Sequence, residues 1–400
     1  MSKKNNGKNA GAAPGERDYH REVAGVSEGV IEFFRKTFAE LHIDGPEVDF
    51  AGTQKSPVMI VSSHRSHSDY FLVGSAFCVR GIRNLRFAAG DNLIKLPWIG
   101  KKFLTFGAFS VSRDDGYKRN YVRNLCAQVV KMLEDGDAVL VFPEGGRSYT
   151  GGMLEIRGGI LNAALMVQAA APGRDVYLLP AAASYDCPPD APWFPLLLKG
   201  KKMRKKPNGF FKRTLGAVYY FGADILAFAP FMTARFVGRR YGAAYMDYGA
   251  PVSVRSLVDL EANRVQGARD EFAAHKVSLD KVGDQVHRMF LSLYRVLPIH
   301  IISAAIKGGG GGNKEAPRGS NVDVAVVERR AADLKAAVVE AGRNCKTISP
   351  MTPEEIVNKG LAQLRKLKAV KLCGNNVIVR KAHIIDYFAE TVAVPVENDM

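Results

Sequence analysis

The chain has 400 residues, 47% of them hydrophobic and 24% charged, and a formal net charge of +16. Such a length supports one large domain with smaller attachments, and the charge favours polyanionic partners: nucleic acid, anionic lipid or phosphorylated small molecules. The five cysteines (Cys78, Cys126, Cys187, Cys345 and Cys373) are odd in number and lack CxxC spacing, which argues against a disulfide framework or a zinc module and fits a reducing compartment.

The opening MSKKNNGKNAGAAPGERDYHRE is polar and has no apolar core. It reads as a disordered tail over residues 1–18 and not as a secretory signal. Residues 19–50 form a helical segment by pattern, with Val30, Phe33, Phe34, Phe38 and Leu41 at amphipathic spacing. From Pro57 onward the pattern changes. PVMIVSS, NLRFAAGD, DAVLVFPEG and DVYLLPAAAS are short apolar runs typical of buried strands. Between them lie helix-like segments such as DGYKRNYVRNLCAQVVKMLEDG, with Gly136 placed to end it. This alternation predicts an α/β fold over residues 51–304, a central mostly parallel sheet flanked by helices, with its active site at the carboxyl ends of the strands.

Within that domain, residues 199–213 carry eight basic residues and no acid, and residues 215–238 are strongly apolar but interrupted by Asp224 and Pro230. A spanning helix needs about 20 clean apolar residues. The stretch 199–238 is therefore expected to contact an anionic membrane surface by lying on or partly in it; the competing reading is a buried helical hairpin beside a solvated loop. Residues 305–321 are Gly-rich and read as a linker. Residues 322–400 read as a small helical C-terminal appendage.

Chemistry concentrates in SSHRSHSDYF, residues 62–71. The preceding strand ends near Ser63, and the following helix starts with Ser66 or Ser68 as its N-cap. His64 then stands at a strand's carboxyl end and Asp69 in the first helical turn. The H-x4-D spacing lets Asp69 fold back onto one imidazole nitrogen and leaves the other free to deprotonate a hydroxyl. A capping role for the pair is the structural alternative. His67 is read as a loop residue or a supporting contact. In VFPEGGRSYTGG, Pro143, Gly145 and Gly146 turn the chain after another strand, and Arg147 beside exposed amides suits a phosphate or carboxylate. Arg113 closes the run GAFSVSR, and Pro180 interrupts the strand-like VYLLPAAAS.

Taken in order, H-x4-D, G-x-F-x-x-x-R, F-P-E-G-G-R-S and a proline-bearing strand resemble the four motifs of the glycerolipid acyltransferase superfamily. His64 and Asp69 match the first; Gly107, Phe109 and Arg113 the second; Phe142 to Ser148 the third; Pro180 the fourth. YGAAYMDYGAPVSV, residues 241–254, resembles the family's closing strand. The form H-R-S with G-G-R-S is similar to the glycerol-3-phosphate and dihydroxyacetone-phosphate acyltransferase branch.

The resemblance implies acyl transfer from acyl-CoA or acyl-carrier-protein to the sn-1 hydroxyl of glycerol 3-phosphate. It implies no cofactor, no metal and no specific nucleic acid. Dihydroxyacetone phosphate or a lysophospholipid are the alternative acceptors, and a nucleic-acid-binding protein or an inactive lipid scaffold the more distant alternatives. Under the resemblance His64 is the general base and Asp69 orients it. Arg113 and Arg147 hold the acceptor's phosphate, Glu144, Gly145, Gly146 and Ser148 shape that seat, and Arg65, Gly107 and Pro180 belong to the substrate pocket. The expected location is the cytoplasmic face of a membrane, peripheral or monotopic.

Overall fold

The computed structural model describes residues 14–90, 94, 104, 106–112, 118–197, 241–308 and 319–392. Its centre is an eight-stranded mixed sheet. The strands are β1 (Phe38–Asp44), β2 (Val58–Ser62), β3 (Leu85–Gly90), β4 (Ala108–Val111), β5 (Ala138–Val141), β6 (Tyr177–Tyr185), β7 (Tyr241–Tyr248) and β8 (Val252–Ser253). They run in the order β1-β7-β6-β2-β5-β3-β4, with β8 paired to β6. Strands β6, β2, β5, β3 and β4 are mutually parallel, and β7 and β1 run against them.

The sheet is covered on both faces, so its central strands are mostly apolar, with Ser62 at the end of β2 and Ser184 in β6 the buried polar positions. In β2, Val58 and Ile60 face one layer while Met59 and Val61 face the other. The first layer holds α1 (Pro14–Thr37) and α2 (Ser68–Val79), which bury Phe34, Leu72 and Phe77 against it. The second holds α3 (Arg119–Glu134), α4 (Gly158–Ala170) and α5 (Lys276–Leu293), with Val129, Leu161, Val286 and Phe290 in its core. Each large apolar side chain so buried contributes roughly 1.5–3 kcal/mol. Gly136, at φ +88°, stops α3 as its position implied.

Four features differ from the sequence reading. The first helix begins at Pro14, inside the stretch expected as tail; a proline's fixed φ suits the first helical position. That helix ends at Thr37, and Phe38 and Leu41 lie in β1, which pairs in parallel with β7 from Phe38↔Tyr241 to Asp44↔Asp247. The ladder with β7 overrides the local helical spacing there. The N-cap of α2 is His67, without a side-chain capping bond, and neither serine; the Ser66 hydroxyl accepts from the Ser68 N–H, and Asp69 folds back to accept from the Arg65 and Ser66 N–H groups ahead of the helix.

The fourth is the C-terminal region. Helix α6 (Pro298–Lys307) runs into the supposed linker, and β9 (Asn321–Asp323) begins at its far end. Beyond it come α7 (Val324–Glu340), α8 (Pro353–Lys366), β10 (Val370–Cys373), β11 (Asn376–Val379) and α9 (Ala382–Glu390). The region is mixed and not purely helical, with an antiparallel sheet in the order β10-β11-β9. It shares one core with α6 and with Tyr149, Phe194 and Tyr245 of the α/β domain. Residues 199–238 lie outside the described residues. Among the described residues no helix is long and apolar enough to cross a membrane.

Candidate active site

The strand order brings the carboxyl ends of β6, β2 and β5 side by side, and the loops that follow them build the site. The Ser63 N–H donates to the Ala181 carbonyl on the β6 side, 3.2 Å, and the Ser148 N–H donates to the His64 carbonyl on the β5 side, 3.1 Å. His64 is thus held between both neighbours and is buried.

Its Nδ1–H donates to Asp69 Oδ2, 3.0 Å, which leaves Nε2 as the acceptor; the Tyr70 hydroxyl donates to it, 3.0 Å. Asp69 Oδ2 also accepts from the N–H groups of Arg65, 2.6 Å, and Ser66, 2.8 Å. The Tyr185 hydroxyl donates to Oδ1, 2.7 Å. A carboxylate fixed by four donors fixes the imidazole in turn. Burial pulls the His64 pKa down to about 4, against the opposing pull of Asp69 and with Arg147 adding to the depression. The ring is therefore neutral near pH 7, with a bare Nε2, as a base requires. The Phe142 ring lies 4.4 Å from the imidazole, centroid to centroid, and forms an apolar wall.

Glu144 acts from beneath. Its Oε1 accepts from the His64 N–H, 2.8 Å, and its Oε2 accepts from the Leu154 N–H, 2.9 Å, and from Arg65 Nη1, 3.2 Å. It clasps the two loops together. Gly145 sits at φ +68°, which lets the chain reverse there, and Gly146 follows in the same turn. The Ser148 hydroxyl accepts from the Gly151 N–H, 3.0 Å. Arg147 is buried; its Nη1 meets Asp190 Oδ2 at 2.8 Å and its Nη2 meets the Tyr149 hydroxyl at 3.1 Å. Asp190 Oδ1 accepts from Ser66 Oγ, 2.7 Å, and Oδ2 from the His67 N–H, 3.2 Å. That bond ties the main chain of His67 to the site.

Gly107 adopts φ +89°, and a Cβ there would strike the Leu85 carbonyl oxygen, so it serves the close packing of β3 and β4. Pro180 lies inside β6, where its carbonyl accepts from Gly249 N–H, 3.0 Å. Its missing donor falls between the stretches paired with β7 and β8, where no ladder bond is lost. Arg113 lies outside the described residues. Tyr70, Tyr185 and Asp190 join the site without standing in any of the sequence motifs. Asp190 had a signal, a carboxylate in a proline turn just past a strand end, SYDCPPD.

The acyltransferase family model matches residues 46–184. A glycerol-3-phosphate acyltransferase of Shewanella pealeana is 27% identical over 247 residues, 61% of this chain and 28% of that protein. One of Alteromonas mediterranea is 26% identical over 256 residues, 64% of this chain and 27% of that protein. The chain thus spans less than a third of the length of these curated relatives. The crystal structure of a 1-acyl-sn-glycerophosphate acyltransferase from Thermotoga maritima aligns with 67% of this chain and 77% of its own, at 15% identity and a TM-score of 0.34.

Proposed function

Because the chain belongs to the glycerolipid acyltransferase superfamily, we propose that it is a glycerol-3-phosphate 1-O-acyltransferase. The observation that carries this reading is the buried His64–Asp69 pair, with an unprotonated Nε2 at the strand ends. The acceptor's sn-1 hydroxyl takes the place of the Tyr70 hydroxyl beside Nε2. His64 removes its proton as the oxygen attacks the thioester carbonyl. Asp69 stabilises the imidazolium so formed. The tetrahedral intermediate collapses with cleavage of the C–S bond, and the imidazolium returns the proton to the departing thiolate. The products are 1-acylglycerol 3-phosphate and the free thiol.

The thioester of coenzyme A or of a carrier protein is a co-substrate, and the reaction so written needs no cofactor. Arg147 supports an acceptor that carries a phosphate, which would share the guanidinium with Asp190. Arg113 is assigned beside it through the motif GAFSVSR. Residues 199–238 are proposed to hold the enzyme on the cytoplasmic face of an anionic membrane. Co-sedimentation with anionic but not neutral vesicles, lost when 199–213 is neutralised, tests that part.

The decisive experiment is acyl transfer from palmitoyl-CoA, and from palmitoyl-carrier protein, to labelled glycerol 3-phosphate. Wild type is expected to form lysophosphatidate and folded His64→Ala to lose at least about 10²–10⁴-fold in kcat. Acylation of a lysophospholipid alone would refute the acceptor assignment, and product with dihydroxyacetone phosphate alone would move it to that neighbour. Near-normal turnover by His64→Ala would remove His64 as base.

A further inference from the structure

On the far side of Arg65 from the dyad, a cavity of about 210 Å³ opens between the α/β domain and the C-terminal region. Its walls include Arg65, Gly152, His287, Tyr294, Arg343 and Glu390. Both guanidiniums are buried, Arg65 at 1% exposure and Arg343 at 9%. The donors of Arg65 are underused. Nη1 meets Glu144 at 3.2 Å, Nη2 meets the thioether sulfur of Met153 at 3.0 Å, the guanidinium lies over the Tyr294 ring and also interacts with its hydroxyl, and Nε has no hydrogen-bond partner. Glu144 is already divided between the amides of His64 and Leu154.

Arg343 reaches main-chain oxygens alone: Nε donates to the Leu291 carbonyl, 3.0 Å, and Nη2 to that of Thr391, 3.0 Å. Among the described residues no carboxylate pairs with it. The acid on the wall, Glu390, is held by Lys307 at 2.7 Å. The wall therefore keeps an excess of buried positive charge. Buried charge is costly without an opposite charge beside it. Burial, and Arg65 nearby, pull the Arg343 pKa below its ordinary value. A water molecule takes up roughly 30 Å³ in the liquid, so the space admits a polyatomic anion with organic atoms attached.

We propose that this cavity seats a phosphate ester, with Arg65 and Arg343 as its cationic ligands. Arg65 ties it to catalysis, since its main-chain N–H holds Asp69 while its side chain forms the cavity wall. Two sources share this chemistry: the polyol phosphate acceptor, and the phosphates of the thioester donor's carrier group. Only the choice between them rests on the proposed function.

Isothermal titration of the full chain with glycerol 3-phosphate and with coenzyme A tests it. A Cβ on Gly152 would meet nothing within 4 Å, so Gly152→Asp places a carboxylate in the cavity with little disturbance to packing. Arg343→Gln removes a cation by a separate route. Both variants are expected to weaken the same probe at least tenfold, with uncharged Gly152→Asn weakening it less. Loss of glycerol 3-phosphate binding assigns the seat to the acceptor, and loss of coenzyme A binding to the donor. The inference is overturned if folded Gly152→Asp, or Arg343→Gln should the first not fold, keeps both affinities within twofold of wild type. It is likewise overturned if wild type binds neither probe. Binding that Gly152→Asp abolishes, in a protein without acyl transfer, would refute the proposed function and leave the seat standing.

Discussion

His64 and Asp69 divide their work between two nitrogens, and each half can be removed separately. In Asp69→Asn the side chain still fills the pocket and accepts hydrogen bonds, but its charge is gone and its NH2 group disfavours the tautomer with a bare Nε2. A fall in kcat of about 10²–10⁴-fold is expected with the acceptor KM little changed; a change confined to KM would show that Asp69 serves binding. Tyr70→Phe separates occupancy from chemistry. The hydroxyl stands 3.0 Å from Nε2, in the seat an acceptor oxygen needs. Removing it should lower the acceptor KM and keep kcat within about threefold, whereas a hundredfold loss in kcat would make Tyr70 a proton relay. The dyad itself was legible in the sequence because its two members sit five positions apart. Tyr185 and Asp190 were not, because they reach the same loop across 116 and 124 residues, and only the β6-β2 pairing brings them there.

The loops after β2 and β5 form one device, joined through Glu144. Its carboxylate is buried and takes two main-chain donors and one guanidinium. Glu144 stands in the motif expected to shape the substrate seat, and its carboxylate joins that loop to the one bearing His64. Glu144→Ala leaves Arg65 charged, buried and without a carboxylate, together with two unpaired amides. A loss of about 3–5 kcal/mol is expected in denaturant titrations, along with displaced His64 and little residual turnover. Unchanged stability would show that the clasp contributes nothing. The central strands were readable because burial on both faces makes them largely apolar runs. β1 was not, since Phe33, Phe34, Phe38 and Leu41 fit a helical stripe and only the ladder with β7 decides otherwise. The small sheet of β9, β10 and β11 was hidden by brevity: its strands are three or four residues long and carry Lys371, Asn321 and Asn376, too little for period-2 alternation to register.

Across the whole molecule, the C-terminal region is fused to the catalytic part. Gly151, at φ +92°, lies against the Tyr387 carbonyl so closely that a Cβ would strike it, and His300 is stacked between Tyr294 and Phe388. This packing dehydrates titratable groups on both sides and gives the fold a pH dependence whose sign follows. Burial pulls His64 down to about 4 and His300 to about 3, from 6.5, and pushes Asp186 up to about 6, from 3.8. Below pH 6.5 the unfolded chain takes protons on both histidines that the folded chain refuses. Their stabilisation is therefore complete above pH 6.5 and lost on the way down to about 4 and 3. Asp186 works in the opposite sense: the fold keeps a proton there below pH 6 that the unfolded chain binds only below 3.8, so its cost fades as pH falls. Counting these three groups alone, two protons against one give a slope of about 1.4 kcal/mol per pH unit between pH 6 and 4, with stability falling as acid is added; His275 and His383, whose pKa values burial also lowers, act in the same sense. Denaturant titrations at pH 7, 6, 5 and 4.5 would read this slope. His300→Asn keeps an acceptor for the Leu297 N–H while removing one of these protons, so the slope should fall by about 1.4 kcal/mol per pH unit in that variant. A stability that stays level in wild type from pH 6 to 4.5, or a slope that His300→Asn leaves intact, would show that these buried imidazoles do not govern the acid sensitivity of the fold.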